Sequence, residues 1–186
     1  DYNLDSTLSF IDLDTLVNKW ENKDFNFELG PVIGEAPHFV STPDSKFDIE
    51  DGMAFVRMWS WYQKNYGEII QDVIMVGRPL ELFHNDNDLL IILDEQVHAG
   101  QIQFSYDIGE SPIQFGHRQN KNGELFITDQ NPENGYSILE FARTGEVAED
   151  TISLKMKNEI QDIAIFYKLV DGNNAVVYKG AMNVNN

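Results

Sequence analysis

The stretch QIQFSYDI, residues 101–108, decides the fold class, because apolar and polar residues alternate along it without a break. Its even-numbered residues are Ile, Phe, Tyr and Ile, whereas its odd-numbered residues are Gln, Gln, Ser and Asp. A period of two is typical of an antiparallel strand with one face on a hydrophobic core and the other toward water. We therefore predict a half-buried strand over Gln101–Ile108.

Similar patterns recur over residues 72–180 and predict an antiparallel sheet. Thr151–Lys157 alternates in the same way, and the wholly apolar Leu89–Leu93 is typical of a central strand covered on both faces. Turns are indicated by Asp171–Asn174, by Asn122-Gly123 and by the polar insert His84–Asp88. Short strands at roughly ten-residue intervals favour a sandwich or a partly open barrel.

The first 70 residues are predicted to be helical and irregular and to pack on this β part. A first helix, with Ser9 or Asp12 as its N-cap, is indicated by apolar residues at the spacing of one helical face: Leu13, Leu16, Val17 and Trp20. The segment Asn22–Pro43 contains four turn-forming residues close together, Gly30, Pro31, Gly34 and Pro37, so we predict an irregular connection. Residues 1–186 are thus expected to form a single β-rich α+β domain.

A second helix is predicted over Met53–Tyr66, capped by Asp51 and ended by Gly67. The alternative, a strand, would place the charged Arg57 among aromatic residues, so we favour the helix. The segment also holds the densest aromatic cluster of the chain, which consists of Trp59, Trp61, Tyr62 and Tyr66. Such rings pack against a sheet when buried and anchor a ligand or a protein interface when exposed. We expect Trp59 inside, with Trp61 as the candidate anchor.

The chain carries 31 acidic and 13 basic side chains, a formal net charge of −18. The net charge is −8 over residues 1–60, −6 over residues 61–120 and −4 over the remainder, so the excess is not confined to a tail. A surface of this kind repels nucleic acid and anionic lipid, and it speeds encounter with a basic protein. There are no cysteines and no apolar stretch that approaches the ~20 residues of a membrane-spanning helix.

Residues His84, Asp86 and Asp88 are spaced two apart, so on one strand they would share a face and could hold a divalent cation. The alternative is a hairpin tip, where Asn and Asp bond their own backbone. We favour the turn and expect no metal or other cofactor.

Sequence signatures of catalysis are missing. The chain lacks the HExxH, G-x-S-x-G and phosphate-loop motifs, so no residue is predicted to be catalytic. Carboxylate pairs have no diagnostic spacing in sequence, and among 31 acids some pair will always lie close together. A non-enzymatic role is therefore favoured.

The function we predict is that of an acidic partner-binding protein, of the immunity or inhibitor type, which neutralises a basic partner such as a toxin or nuclease by charge complementarity. Two alternatives stay open: a carbohydrate- or ligand-binding β-domain, and a carboxylate-dependent hydrolase. The expected location is the cytoplasm, with a processed secreted or periplasmic form as the alternative. The residues that we predict to contact the partner are Trp61, Tyr62, Asp12, Asp14, Glu21, Asp86 and Asp88.

Overall fold

A computed structural model of the chain describes residues 1–67, 74–85, 87–109, 111–116, 123–145, 147–157 and 163–184. The helical layer comes first along the chain and also contains a two-stranded hairpin and a short 3-10 turn, Phe25–Phe27. Its elements are α1 (Phe10–Glu21), β1 (Val32–Ile33), β2 (Val40–Ser41) and α2 (Ile49–Tyr66).

The remaining elements form two antiparallel sheets, which are not closed into a barrel. The four-stranded sheet has the order β3 (Glu81–Asn85), β4 (Asp88–Leu93), β9 (Asp150–Met156) and β6 (Ile113–Phe115). The five-stranded sheet has the order β11 (Val176–Val184), β10 (Ile163–Val170), β5 (Ala99–Ser105), β8 (Tyr136–Arg143) and β7 (Glu124–Asn131). The chain is therefore a β-rich α+β protein, as the sequence predicts.

The five-stranded sheet lies between the other two layers. One of its faces packs on the four-stranded sheet through a core that includes Ile102, Phe104 and Phe141. Its other face packs on the helices through a second core that includes Ile138, Leu13 and Trp59. Because both faces are covered, all eight residues of β8 are buried.

Both helices begin with the same local device, a capping box. In α1 the side chain of Ser9 accepts a hydrogen bond from the first turn while Asp12 accepts one from the Ser9 N–H, and in α2 the pair is Asp48 and Asp51. The predicted second helix is confirmed, but it begins at Ile49, so Asp51 lies inside its first turn rather than at its cap.

The predicted strand over Gln101–Ile108 is present but ends at Ser105, and Ile108 is exposed. Contrary to the prediction, its polar face does not lie in solvent, since Gln103 is completely buried. The reason is the helical layer, which covers the face that an isolated two-layer sandwich would leave in water.

Two of the three predicted hairpins are present, whereas β6 and β7, on either side of Asn122-Gly123, lie in different sheets. Strands β3 and β4 pair directly across the turn after Asn85, and β10 and β11 pair across Asp171–Asn174. Of the third turn signal, Gly123 precedes β7 with a positive φ of 78°, and Asn122 lies outside the described residues. Leu89–Leu93 forms the interior strand β4, although Leu90 and Ile92 are only half-buried on its outer face.

Within the described residues, no helix combines the length and the apolar character that crossing a membrane requires.

The helical layer should contribute strongly to stability because its apolar face is completely buried. We predict that Leu16→Ala, at a side chain with 0% exposure, lowers the free energy of unfolding by about 2–5 kcal/mol. The same substitution at Leu4, which is 85% exposed, should change it by less than about 0.5 kcal/mol. Urea unfolding followed by circular dichroism measures both. Equal effects of the two substitutions would contradict the burial of this helix face.

Candidate functional site

The N-terminus of α2 holds the loop that precedes β1 through a buried carboxylate. Asp51 Oδ1 accepts hydrogen bonds from the backbone N–H groups of Leu29 (2.8 Å) and Gly30 (2.9 Å), and Oδ2 accepts one from Asp48 (2.9 Å). Asp51 is 1% exposed, and its negative charge lies at the favourable end of the helix dipole. One side chain therefore caps the helix and positions the loop.

This contact is so close that only glycine fits at position 30. A Cβ atom on Gly30 would lie 2.7 Å from the backbone carbon of Glu50. The far end of the same segment is fixed by Glu28, whose buried carboxylate accepts hydrogen bonds from the backbone N–H groups of Asp44 and Ser45. The β1–β2 hairpin is thus anchored to the protein at both of its ends.

Four exposed apolar side chains lie on this hairpin and on the adjoining part of α2. Ile33 (64% exposed) and Val40 (62%) are cross-strand partners, and Ile49 (71%) and Met53 (55%) are one helical turn apart. We call these four residues the hairpin–helix patch. Exposed apolar side chains that cluster on neighbouring elements are typical of interaction surfaces.

Contacts of Arg57 keep the hairpin beside the helix. Its Nη2 donates to the Gly34 carbonyl at 3.3 Å, and its guanidinium lies over the Phe39 ring, 4.7 Å from the ring centroid. Because the loop also touches α2 at Glu50, the hairpin runs along the helix between Glu50 and Arg57. The four apolar side chains therefore lie on two elements that are in contact with each other.

The surroundings of the patch are negative. Residues 28–57 contain six acids and two bases, and both bases are already in ion pairs: Lys46 with Asp44 at 2.6 Å and Arg57 with Glu35 at 3.4 Å. The Glu35 side chain is 92% exposed. The patch thus combines exposed apolar area with uncompensated negative charge.

This patch is not predicted from the sequence. The hairpin is predicted to be an irregular connection because of Gly30, Pro31, Gly34 and Pro37. The available signal was the presence of Ile33 and Val40 in a turn-rich segment where neither belongs to an amphipathic period.

The predicted partner residues do not form one surface. Trp61 and Tyr62 are half-buried on α2, each within 6 Å of the Tyr66 ring, whereas Trp59 is fully buried. Glu21 is exposed at the end of α1. These residues belong to the helical layer.

The other two predicted acids of α1, Asp12 and Asp14, are buried instead. Asp12 is 0% exposed and accepts hydrogen bonds from the N–H groups of Tyr2 (2.6 Å) and Ser9 (3.0 Å). Asp14 is 4% exposed, and burial raises its pKa to about 6. Neither carboxylate can contact a partner from this position, because both side chains are buried.

Two of the three candidate metal residues, His84 and Asp88, lie in the described part of the chain. His84 is exposed on β3, Asp88 forms an ion pair with Lys155 (2.7 Å) on β9, and Asp86 lies outside the described residues. Asp88 belongs to the four-stranded sheet, so the central sheet separates it from Trp61. Among the described residues, no cluster of three or more His, Asp or Glu side chains could hold a metal ion.

A buried carboxyl group lies at the centre of the helix–sheet interface. Glu140 of β8 is 1% exposed, and its Oε1 accepts hydrogen bonds from the side-chain amides of Gln63 and Gln101, both at 3.3 Å. Burial raises the pKa of Glu140 to about 8, the nearby indole N–H of Trp59 acts in the opposite direction, and the charge of Asp12 adds to the increase. The protonated form is therefore the main one at neutral pH.

A second, exposed group of carboxylates surrounds Arg78. Its guanidinium binds Asp94 at 2.8 Å and Glu81 at 2.5 Å, and Tyr178 donates to Asp94 at 2.5 Å. Burial of Asp94 acts to raise its pKa, but the hydrogen bonds from Tyr178 and Arg78 outweigh it and lower the pKa.

Neither group has the properties of a hydrolase site. A glycosidase pair needs a protonated acid and an ionised carboxylate facing one accessible cleft. Glu140 holds a proton but is closed off behind α2, whereas Asp94, whose side chain is 13% exposed, is held ionised by its partners. These two carboxyl groups therefore give no support to the hydrolase alternative.

Comparison with protein-family models, with curated proteins and with solved structures finds no match. The class of the protein is defined by its architecture alone: a two-sheet antiparallel sandwich with a helical layer on the outer face of the larger sheet.

The role of Asp51 can be tested by removing its carboxylate. We predict that Asp51→Ala lowers the free energy of unfolding by about 2–4 kcal/mol, because three backbone N–H groups lose a charged acceptor. Limited proteolysis should also cleave the segment between residues 29 and 47 faster. Glu50→Ala, at the neighbouring exposed residue, is the matched control and should leave both measurements nearly unchanged. If the two variants behave alike, Asp51 does not hold the loop.

Glu140 should make stability depend on pH. Its pKa rises from 4.5 to about 8 on folding, so the folded protein retains a proton that the unfolded chain releases. The stabilising contribution is complete below pH 4.5 and is lost as the pH rises toward 8. We predict that the free energy of unfolding of the wild type, relative to Glu140→Gln, falls by about 1 kcal/mol per pH unit over this range.

Urea unfolding at pH 5, 6, 7 and 8 measures this difference, with Glu50→Gln as a control that keeps the wild-type slope. Parallel pH profiles for the wild type and Glu140→Gln would show that Glu140 has an ordinary pKa.

Proposed function

We propose that this chain is an acidic partner-binding protein that neutralises a basic protein through the hairpin–helix patch. The single observation that carries the proposal is the placement of four exposed apolar side chains within a strongly negative part of the surface. The apolar residues supply contact area, and the surrounding carboxylates attract and orient a positively charged partner.

The local geometry supports this function because the surface is preorganised. Asp51 and Glu28 fix the ends of the hairpin through hydrogen bonds to backbone, and Arg57 ties its middle to α2. Little conformational entropy is then lost when a partner binds. Trp61, on the next turns of the same helix, is half-exposed and extends the surface in the direction of its C-terminus.

The partner is expected to present basic residues around an apolar centre. The exposed carboxylates of Glu35 and Glu50 lie beside the patch, and the only two bases of this segment are paired internally. Like-charged proteins, nucleic acid and anionic membranes would be repelled by the same surface.

The apolar part of the proposal can be tested by a double variant that leaves the charge unchanged. We predict that Ile49→Ser/Met53→Ser weakens binding of an amphipathic Leu/Lys helical peptide at least tenfold, because the peptide loses its apolar contacts. Phe83→Ser is the matched control, since Phe83 is 59% exposed on the opposite layer. Isothermal titration at 50 and 300 mM NaCl measures the affinities.

The wild-type affinity should fall at least tenfold between the two salt concentrations. An affinity that is independent of salt, or an equal loss in Phe83→Ser, would refute the proposed surface. The physiological partner should then be a basic protein that binds the wild type and Phe83→Ser, releases with salt, fails to bind the double variant, and loses its own activity when bound.

A further inference from the structure

The two sheets of the sandwich leave a cleft on the side formed by β7 and β9. Its volume is about 590 Å³, and the five-stranded sheet contributes Phe126, Thr128 and Leu139 to its walls while Ile152 and Leu154 come from β9. We propose that this inter-sheet cleft binds an uncharged small molecule with an aromatic or aliphatic body. The proposal is independent of the partner-binding function, because the cleft lies on the other face of the central sheet.

The size of the cleft suits a small molecule. Ligand pockets in proteins typically have volumes of about 300–1,000 Å³. The cleft arises where β6 is short: it pairs with β9 only from Leu154 to Met156, whereas β7 continues on the facing sheet for eight residues. The two sheets thus pack against each other at their centres and are separated along the side formed by β7 and β9.

The apolar walls are held by the core behind them. Phe126 stacks on the fully buried Phe141, with ring centroids 5.5 Å apart and an interplanar angle of 18°. Phe115 packs edge-on against the buried Phe104, with centroids 6.2 Å apart. A ligand would therefore meet aromatic surfaces that are already fixed in place, which reduces the entropic cost of binding.

The charge of the lining points to a neutral ligand. In a chain with 31 acids, the described residues of the lining include no Asp or Glu. The described lining residues include one base, Lys155, whose ammonium is paired with Asp88 at 2.7 Å. Within this described part of the wall, a cation meets no carboxylate and an anion meets no uncompensated ammonium, and the net charge of −18 also repels an anion.

The rim of the cleft can form a hydrogen bond with a polar group of the ligand. Thr128 lies on the same face of β7 as Phe126 and places its hydroxyl group at the exposed side of the cleft. A hydroxyl or carbonyl group at one end of an otherwise apolar ligand would bind there, and the body would lie on Phe126 and Leu154. Few polar groups on an apolar floor are the usual pattern of a small-molecule site.

The test uses Nile red, an uncharged aromatic probe whose emission increases in apolar surroundings. We expect saturable binding of one molecule per chain. Thr128→Trp should weaken it at least tenfold, because the indole fills the cleft from an exposed position. Ala181→Trp adds the same bulk on β11, the opposite edge of the same sheet, and should change the affinity by less than twofold.

The cleft would be ruled out as the binding site by the absence of saturable binding or by an unchanged affinity in Thr128→Trp. It would also be ruled out by loss of binding in Ile49→Ser/Met53→Ser, because that result would locate the probe at the hairpin–helix patch. Circular dichroism verifies that each variant is folded, and Thr128→Phe replaces Thr128→Trp if the latter is not. Anilinonaphthalene sulfonate, an anionic aromatic probe, should bind the cleft at least tenfold more weakly than Nile red. Equal binding that Thr128→Trp abolishes would overturn the assignment to an uncharged ligand.

Discussion

The structure depends on the need to cover both faces of the five-stranded sheet. Every residue of β8 is buried, so neither the four-stranded sheet nor the helical layer can be removed without exposing one side of it. Two separate cores result, one between the sheets and one beneath the helices. Polar side chains on the helix-facing side, including Gln103 and Glu140, must accordingly find their hydrogen bonds inside the protein.

This double covering also separates two kinds of surface. The helical layer presents exposed apolar residues surrounded by carboxylates, which suits a charged macromolecule. The opposite side of the sheet presents a recessed cleft without acids in its described lining, which suits a small neutral molecule. A net charge of −18 thus describes the chain as a whole but neither of its candidate sites.

The sequence predicts which segments form strands and helices better than it predicts what covers them. The period of two in residues 101–108 identifies a strand, and the capping residues identify two helices. The same pattern cannot reveal that Gln103 is buried, because burial of the polar face is decided by residues far away in the chain. The burial of all of β8 is not evident from its sequence, because Glu140 and Arg143 interrupt its apolar residues.

Of the candidate site, the sequence predicts only the negative charge. Nothing in the sequence distinguishes an acid that faces solvent from one that accepts hydrogen bonds from backbone N–H groups, as Asp12 and Asp51 do. The structure shows that both face inward, and it places the exposed apolar residues of the hairpin beside α2. Because side-chain contacts of Asp51 and Arg57 bring the hairpin beside α2, no local period in the sequence could have indicated this patch.

The order of the elements has a consequence for synthesis on the ribosome. Helix α1 has twelve residues, too few to be stable alone, and it packs on β5, β7 and β8, the last of which ends at Arg143. The centre of the sheet is completed later still, when β10 pairs with β5. Helix α1 therefore leaves the ribosome well before the strands on which it packs, and the net negative charge of residues 1–60 helps to keep this segment from associating during that interval.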